Sequence, residues 1–353
     1  MDILLTTALF VLLGLIMMIA NVAESRRQRD EPHQTLAFLA YIPLILIYGA
    51  VFAGGLILQI LAARLAQDPE LTSQIAPALP GIDPAQMLGG FGLYGPGIWI
   101  AALVGIALLA LPVRRLLATV IPIDPANPVH AVALSYTMLV VINLLFTLGA
   151  GLGNLASAVE QQTASGEQAV TLSSLWLQQI LTALLAIVGV GWLIRRDWAN
   201  ALQRLGIVRP TLRQVLIGIG IGLLMVPVVL VFEQASQLVD ISFDPAVERL
   251  TEQLLGPLFN SAFGILTIGL AAALGEETLL RGAVQPRFGL VLTSLVFALL
   301  HSTYGLSLST VIVFMLGIVL GLVRIRSNTT TAMIVHAIYN MTLGLMAYLN
   351  LSF

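Results

Sequence analysis

Six residues in the last third of the chain carry groups capable of chemistry in surroundings where such groups are costly: Glu276, Glu277, Arg281, His301, His336 and Asn340. The segment GEETLLRG (275–282) sets two carboxylates and a guanidinium among residues that are otherwise almost all Leu, Ile, Val, Ala and Gly. Glu277 and Arg281 are four apart, one turn along one helical face, so an ion pair can form there. Such a pair is the ordinary structural use of these residue types. Glu276 is left over, because the adjacent position points about 100° away around a helix. His336 and Asn340 also share a face, as do Phe297 and His301, which sets an aromatic ring beneath the imidazole. A Glu facing a His can hold a water and remove its proton, and an Asn amide with a His N–H on a further helix can stabilise an oxyanion. Together these groups describe water attack on an amide carbonyl. No serine nucleophile is required: a helix turns Ser302 away from the face of His301, and a membrane serine usually bonds to its own backbone.

Composition sets the solvent around these groups. The chain of 353 residues is 58% hydrophobic and 10% charged, with a mean hydropathy of +0.96. A soluble domain carries about 25% charged residues, so this is an integral membrane protein whose first partner is the lipid bilayer. A net charge of −2 gives nucleic acid no electrostatic footprint. The absence of cysteine excludes disulfides, thiolate zinc sites and a cysteine nucleophile together. All 16 basic residues are arginine. A charge at the bilayer centre costs at least about 2.5–3.5 kcal/mol on insertion scales, so the six residues are expected to face a protein interior or a wet cavity.

The elements that must position them are membrane helices, each needing about 20 mostly apolar residues. Candidate spans fall near 2–22, 36–62, 94–112, 131–153, 173–194, 213–232, 259–286, 289–304, 306–323 and 329–349. The predicted fold is therefore an all-α polytopic membrane helix bundle of about 8–10 transmembrane helices. Asp2 precedes the first span and Arg26, Arg27 and Arg29 follow it, the pattern of an uncleaved anchor rather than a signal peptide. Arginines recur after every second span, and acidic residues occupy most of the other loops. The positive-inside rule then places the N-terminus outside, with the 286–289 and 324–329 turns in the cytoplasm. Polar stretches at 65–93 and 154–172 read as solvated connectors, and 244–255 as an amphipathic helix on the outer face. Gly218 with Gly222, and Gly317 with Gly321, are GxxxG pairs that predict close helix packing. Residues 1–200 are expected to form a transmembrane region of unassigned role and 201–353 the catalytic domain.

Depth brings the polar residues together. Counting from a turn at 286–289, Glu276 and His301 both lie roughly 15–18 Å in, and His336 and Asn340 lie roughly 10–17 Å in from 329. EETLLR (276–281), FALLH (297–301) and HAIYN (336–340) resemble the EExxxR, FxxxH and HxxxN motifs of the type II CAAX prenyl endopeptidases, a family that extends to the CPBP or Abi-type intramembrane proteases. Three motifs in order on separate apolar helices make a far more specific signal than any one of them. The resemblance covers about 255–350, with a looser echo in LGIVRPTLR (205–213).

It implies a glutamic protease in a multi-pass cell-membrane protein, acting on a peptide or lipidated peptide from the cytoplasmic side. Glu276 and His301 would activate the water, His336 and Asn340 would form the oxyanion hole, and Glu277 and Arg281 would support the site. The expectation is no cofactor; a His₂Glu zinc set of Glu276, His301 and His336 is the less favoured alternative, and no HExxH helix is present. The rival functional readings are a non-catalytic membrane scaffold or Abi-type bacteriocin-immunity protein and, lowest, a transporter, which would show inverted repeats in both halves.

Overall fold

The computed structural model of the chain describes residues 3–68, 82–166, 170–238 and 244–351, with 70, 72, 74 and 168 between them. Among these it is all helix apart from one isolated bridge between Trp192 and Arg196, and eight helices are long and apolar enough to cross a membrane. The protein is thus a multi-pass membrane bundle.

The N-terminal part comprises α1 (Ile3–Arg27), α2 (Gln34–Leu65), α3 (Pro84–Ala107), the short α4 (Leu111–Leu117), α5 (Pro128–Ala150), α6 (Leu152–Ala164), α7 (Leu172–Gly189) and α8 (Trp198–Leu205). The C-terminal part comprises α9 (Leu212–Gln237), α10 (Pro245–Phe259), α11 (Ala262–Glu277), a π-helical turn (Thr278–Val284), α12 (Gln285–Leu300), a 3₁₀ turn (Ser302–Tyr304), α13 (Leu308–Arg326) and α14 (Thr329–Tyr348).

Three helices begin by the same local device. Asp83, Asn127 and Asp244 each accept a backbone N–H of the first turn, and each is followed by a proline that has no N–H to leave unpaired. Thr211 closes a capping box with Gln214 at the start of α9.

Between helices in lipid, association rests on close packing, and small residues permit it. The two sequence-predicted GxxxG pairs do this. Gly218 and Gly222 of α9 lie against Ile334 and Ile338 of α14, and Gly317 and Gly321 of α13 lie against Ser294 and Leu290 of α12. Their pairing in opposite order shows that α12 and α13 are antiparallel. One apolar core holds the site helices together around Leu280, Phe297, Leu316, Leu320 and Val335. A second, around Ile16, Leu44, Tyr48, Ala102 and Val132, belongs to the N-terminal helices. The two parts meet where α7 packs on α11.

Two expectations are corrected. The 154–172 stretch is not an open connector, for Leu152–Ala164 is a helix that packs against α10. Its Asn154 bonds back to the Ala150 carbonyl and to the backbone N–H of Asp83, which replaces the solvent its polarity implied. The expected turn at 286–289, by contrast, is present: two helices meet at Gly289, where φ is 76° and ψ is 176°, a backbone conformation that only glycine adopts at low cost, and the chain folds back so that Arg281 reaches the ring of Phe297. The eighth span stops at Leu300, with His301 outside the helix. The connector stretches 75–81 and 239–243 lie outside the described residues.

Candidate active site

Pro286 organises the site locally. Lacking an N–H, it frees the carbonyls four and five residues earlier, and a π-turn precedes it. Both carbonyls are taken by arginines from other elements: Gly282 O accepts from Arg204 Nη1 at 3.2 Å and Arg281 O from Arg324 Nε at 3.2 Å. The π-turn is thereby pinned to α8 and to α13, and the carboxylates that lead into it are fixed in direction.

Glu276 and Glu277 point to different neighbours, as their adjacency requires. Glu277 is fully buried; its Oε1 lies 2.9 Å from His336 Nδ1, and its Oε2 lies 3.3 Å from Arg281 Nε. The second contact is an ion pair without good hydrogen-bond geometry. Arg281 donates from Nη2 to Gly317 O at 3.4 Å and stacks over Phe297 at 4.3 Å. Phe297 is the hub: its ring meets His301 edge-on at 5.0 Å and His336 edge-on at 5.9 Å. The aromatic contact predicted from the spacing of Phe297 and His301 is therefore present, and it reaches a second histidine.

Hydrogen-bond partners fix both imidazole tautomers. His301 Nδ1 lies 2.9 Å from Phe297 O; a carbonyl can only accept, so Nδ1 carries the proton and the neutral ring keeps its lone pair on Nε2. His336 Nδ1 likewise donates to the Glu277 carboxylate, so its Nε2 bears a proton only in the imidazolium form. His301 is held by the break itself. The backbone leaves the helix there, and Tyr304 of the 3₁₀ turn stacks on the ring at 5.6 Å and 18°.

Glu276 turns the other way, toward α7. Its Oε1 accepts from Gln179 Nε2 at 3.2 Å, and its Oε2 has no hydrogen-bond partner among the described residues. Gly275 lets α7 approach: a Cβ there would overlap Gln179. Glu276, near the end of α11, and His301, just past α12, line one cavity of about 560 Å³ together with Gln179, Thr303 and Tyr136. Arg195, Arg196, Arg204 and Arg287 line it too. His336 and the half-buried Asn340, one turn apart on α14, are not in its lining. Of the six predicted residues, Glu276 and His301 form a cavity pair, Glu277, Arg281 and His336 form a packed network beside Phe297, and Asn340 belongs to neither.

Sequence reasoning missed Gln179 and Tyr304. Gln179 was open to detection as half of a Gln178–Gln179 pair inside an apolar span; Tyr304 had no signal, because its place depends on the chain breaking at His301. Among the described residues no three of His, Cys, Asp and Glu come together in a group that could hold a metal.

The fold is a membrane helix bundle in which Glu276 and His301 face one internal cavity. Residues 258–342, which contain all six residues, match the family model described as type II CAAX prenyl endopeptidase Rce1-like, so this segment is similar to the domain of that CAAX-protease family. No curated protein and no solved structure matches the chain.

Proposed function

We propose that the protein is an intramembrane endopeptidase that hydrolyses a peptide bond with water activated by Glu276 and His301. The observation that carries this is the shared cavity: Glu276 offers an unpaired carboxylate oxygen and His301 an Nε2 lone pair to the same space. A water between them gives one proton to the Glu276 carboxylate as its oxygen bonds to the amide carbon. The carbonyl oxygen becomes the oxyanion; its collapse breaks the C–N bond as the proton on Glu276 passes to the departing amine, and His301 Nε2 takes the second water proton, leaving a carboxylate and an amine as products. Gln179 holds Glu276 through Oε1, which directs Oε2 to the water. Glu277 fixes the His336 ring; as imidazolium, His336 has an Nε2–H to give an oxyanion, with Asn340 one turn on. Because neither lines the cavity, their part in the oxyanion hole requires the substrate carbonyl to reach the α14 face. The packed Glu277–Arg281–His336 network alone would suit a non-catalytic scaffold. The unpaired oxygen of Glu276 would not, since a buried polar atom without a partner is costly.

The deciding experiment is cleavage of a panel of prenylated and transmembrane peptides by purified protein in lipid nanodiscs. Defined fragments are expected from at least one class, and none from any class sinks the proposal. The carboxylate mechanism further predicts that chelators leave activity unchanged and that metal analysis finds no stoichiometric zinc. One zinc per chain, lost together with activity, would recast the histidines as ligands.

The arginine distribution puts the cavity mouth on the cytoplasmic side, and a hydrolase at this depth needs such a route for its water. A single cysteine at Ser327 or Asn200 should react with a membrane-impermeant thiol reagent only in inverted vesicles. One at the exposed Ala164 should react only in intact cells or spheroplasts. The opposite pattern would reverse the topology and the side of substrate entry. Gly289 is unsuited to this test because of its positive φ.

A further inference from the structure

A second cavity, of about 600 Å³, lies between α9 and α13 and shares no lining residue with the one that holds Glu276 and His301. Both helices pack on α14, and the space opens between them. α9 begins at Leu212 and α13 ends at Arg326, so one end of the bundle supplies both sides of the cavity mouth. Arg213 and Arg326 stand at that mouth, both exposed. Among the described residues neither pairs with a carboxylate. The neighbouring Arg324, by contrast, is committed to the Arg281 carbonyl. Ile217 and Ile221 of α9 and Val319 and Leu322 of α13 form the deeper walls. The N-terminus of α9 adds nothing to the charge at the mouth, since Thr211 and Gln214 already cap it.

The order of these groups along the membrane is that of a phospholipid. Ile221 lies two turns deeper than Arg213, a rise of about 12 Å, which is most of the depth of one leaflet in a hydrocarbon core about 30 Å thick. Two cations at headgroup level above an apolar cleft of that depth match an anionic phosphate that carries acyl chains. We propose that this cleft binds an anionic phospholipid of the leaflet at that end of the bundle, the cytoplasmic one by the arginine distribution. The phosphate sits between Arg213 and Arg326, and an acyl chain runs along Ile217, Ile221, Val319 and Leu322. A free phosphate would meet the arginines but leave the apolar walls without a partner. The lipid is a resident and not a substrate, because the cleft is separate from the Glu276 cavity. It would brace helices that hold the site: α13 supplies Arg324 to the Arg281 carbonyl and Gly317 O to the Arg281 guanidinium, and α14 carries His336.

The test uses the full chain in neutral detergent, with binding read by native mass spectrometry and by melting temperature, so that neither readout requires cleavage. The protein is titrated with phosphatidylglycerol, with phosphatidylcholine, and with glycerol 3-phosphate, which offers the phosphate without acyl chains. Phosphatidylglycerol is expected to bind on the order of 10-fold more tightly than phosphatidylcholine, as for two arginines near an anionic headgroup, and to raise the melting temperature. Glycerol 3-phosphate should do neither. Arg213→Gln with Arg326→Gln should abolish the preference, and because both side chains are exposed the fold should survive. Ile217→Trp fills the cleft from an exposed wall position while keeping both arginines, and it should expel the lipid. Equal binding of the two lipids overturns the site. So does a preference that survives the double substitution, which would move the lipid to the other arginines. Binding to Ile217→Trp as tight as to wild type, or an equal effect of glycerol 3-phosphate, would mean a phosphate on the surface and no lipid in the cleft, and overturns it as well.

Discussion

Glu276→Gln protein is expected to insert, fold and bind substrate as wild type does, and to lose cleavage by about 10²–10⁴-fold, the range that a positioned general base contributes. The substitution keeps the shape of the side chain and its Oε1 contact with Gln179 Nε2, and it removes only the charge and the basicity of the oxygen that faces the cavity. Glu277→Gln is the informative comparison. Glu277 is bonded to His336 and paired with Arg281 rather than lining the cavity, so its loss should disturb stability as well as rate. Measuring kcat and melting temperature for both variants separates the adjacent carboxylates. Wild-type activity in Glu276→Gln would remove that residue from the mechanism, whatever the family resemblance.

Arg281→Ala is the largest expected stability effect. It leaves the Glu277 carboxylate fully buried, with His336 as its remaining partner, and strips the cation from the face of Phe297. Stranding one partner of a buried pair costs about 3–5 kcal/mol. The effect should appear as a clear fall in thermal stability in detergent together with loss of activity. Adding Glu277→Gln to Arg281→Ala should restore part of the stability, since it removes the uncompensated charge, without restoring cleavage. An Arg281→Ala protein as stable as wild type yet inactive would mean that Arg281 binds substrate instead of holding Glu277.

Much of this protein is written in its sequence. Apolar runs of membrane length determined the helices, because lipid leaves an isolated chain segment no other way to satisfy its backbone. Two helix starts were read late, near 94 and 131: the helices begin at Pro84 and Pro128, inside the expected connector in the first case, where Asp83 and Asn127 cap the first turn. The i,i+4 spacings determined the Glu277–Arg281 ion pair and the Phe297–His301 contact, because both partners lie on one stretch of chain. The three motifs pointed to the same family that the comparison finds.

What the spacing could not determine was which neighbour each side chain meets across helices. That Glu277 takes His336 while Glu276 takes Gln179 from a helix nearly a hundred residues earlier depends on how α7, α11 and α14 pack. The π-turn before Pro286 likewise depends on Arg204 and Arg324, which come from other helices to take the carbonyls it exposes, and His301 leaves its helix to stack on Tyr304. A local pattern fixes a helix and its faces, but the partner on each face is chosen by packing over the whole bundle. The cavity that joins Glu276 to four arginines is a product of that packing alone.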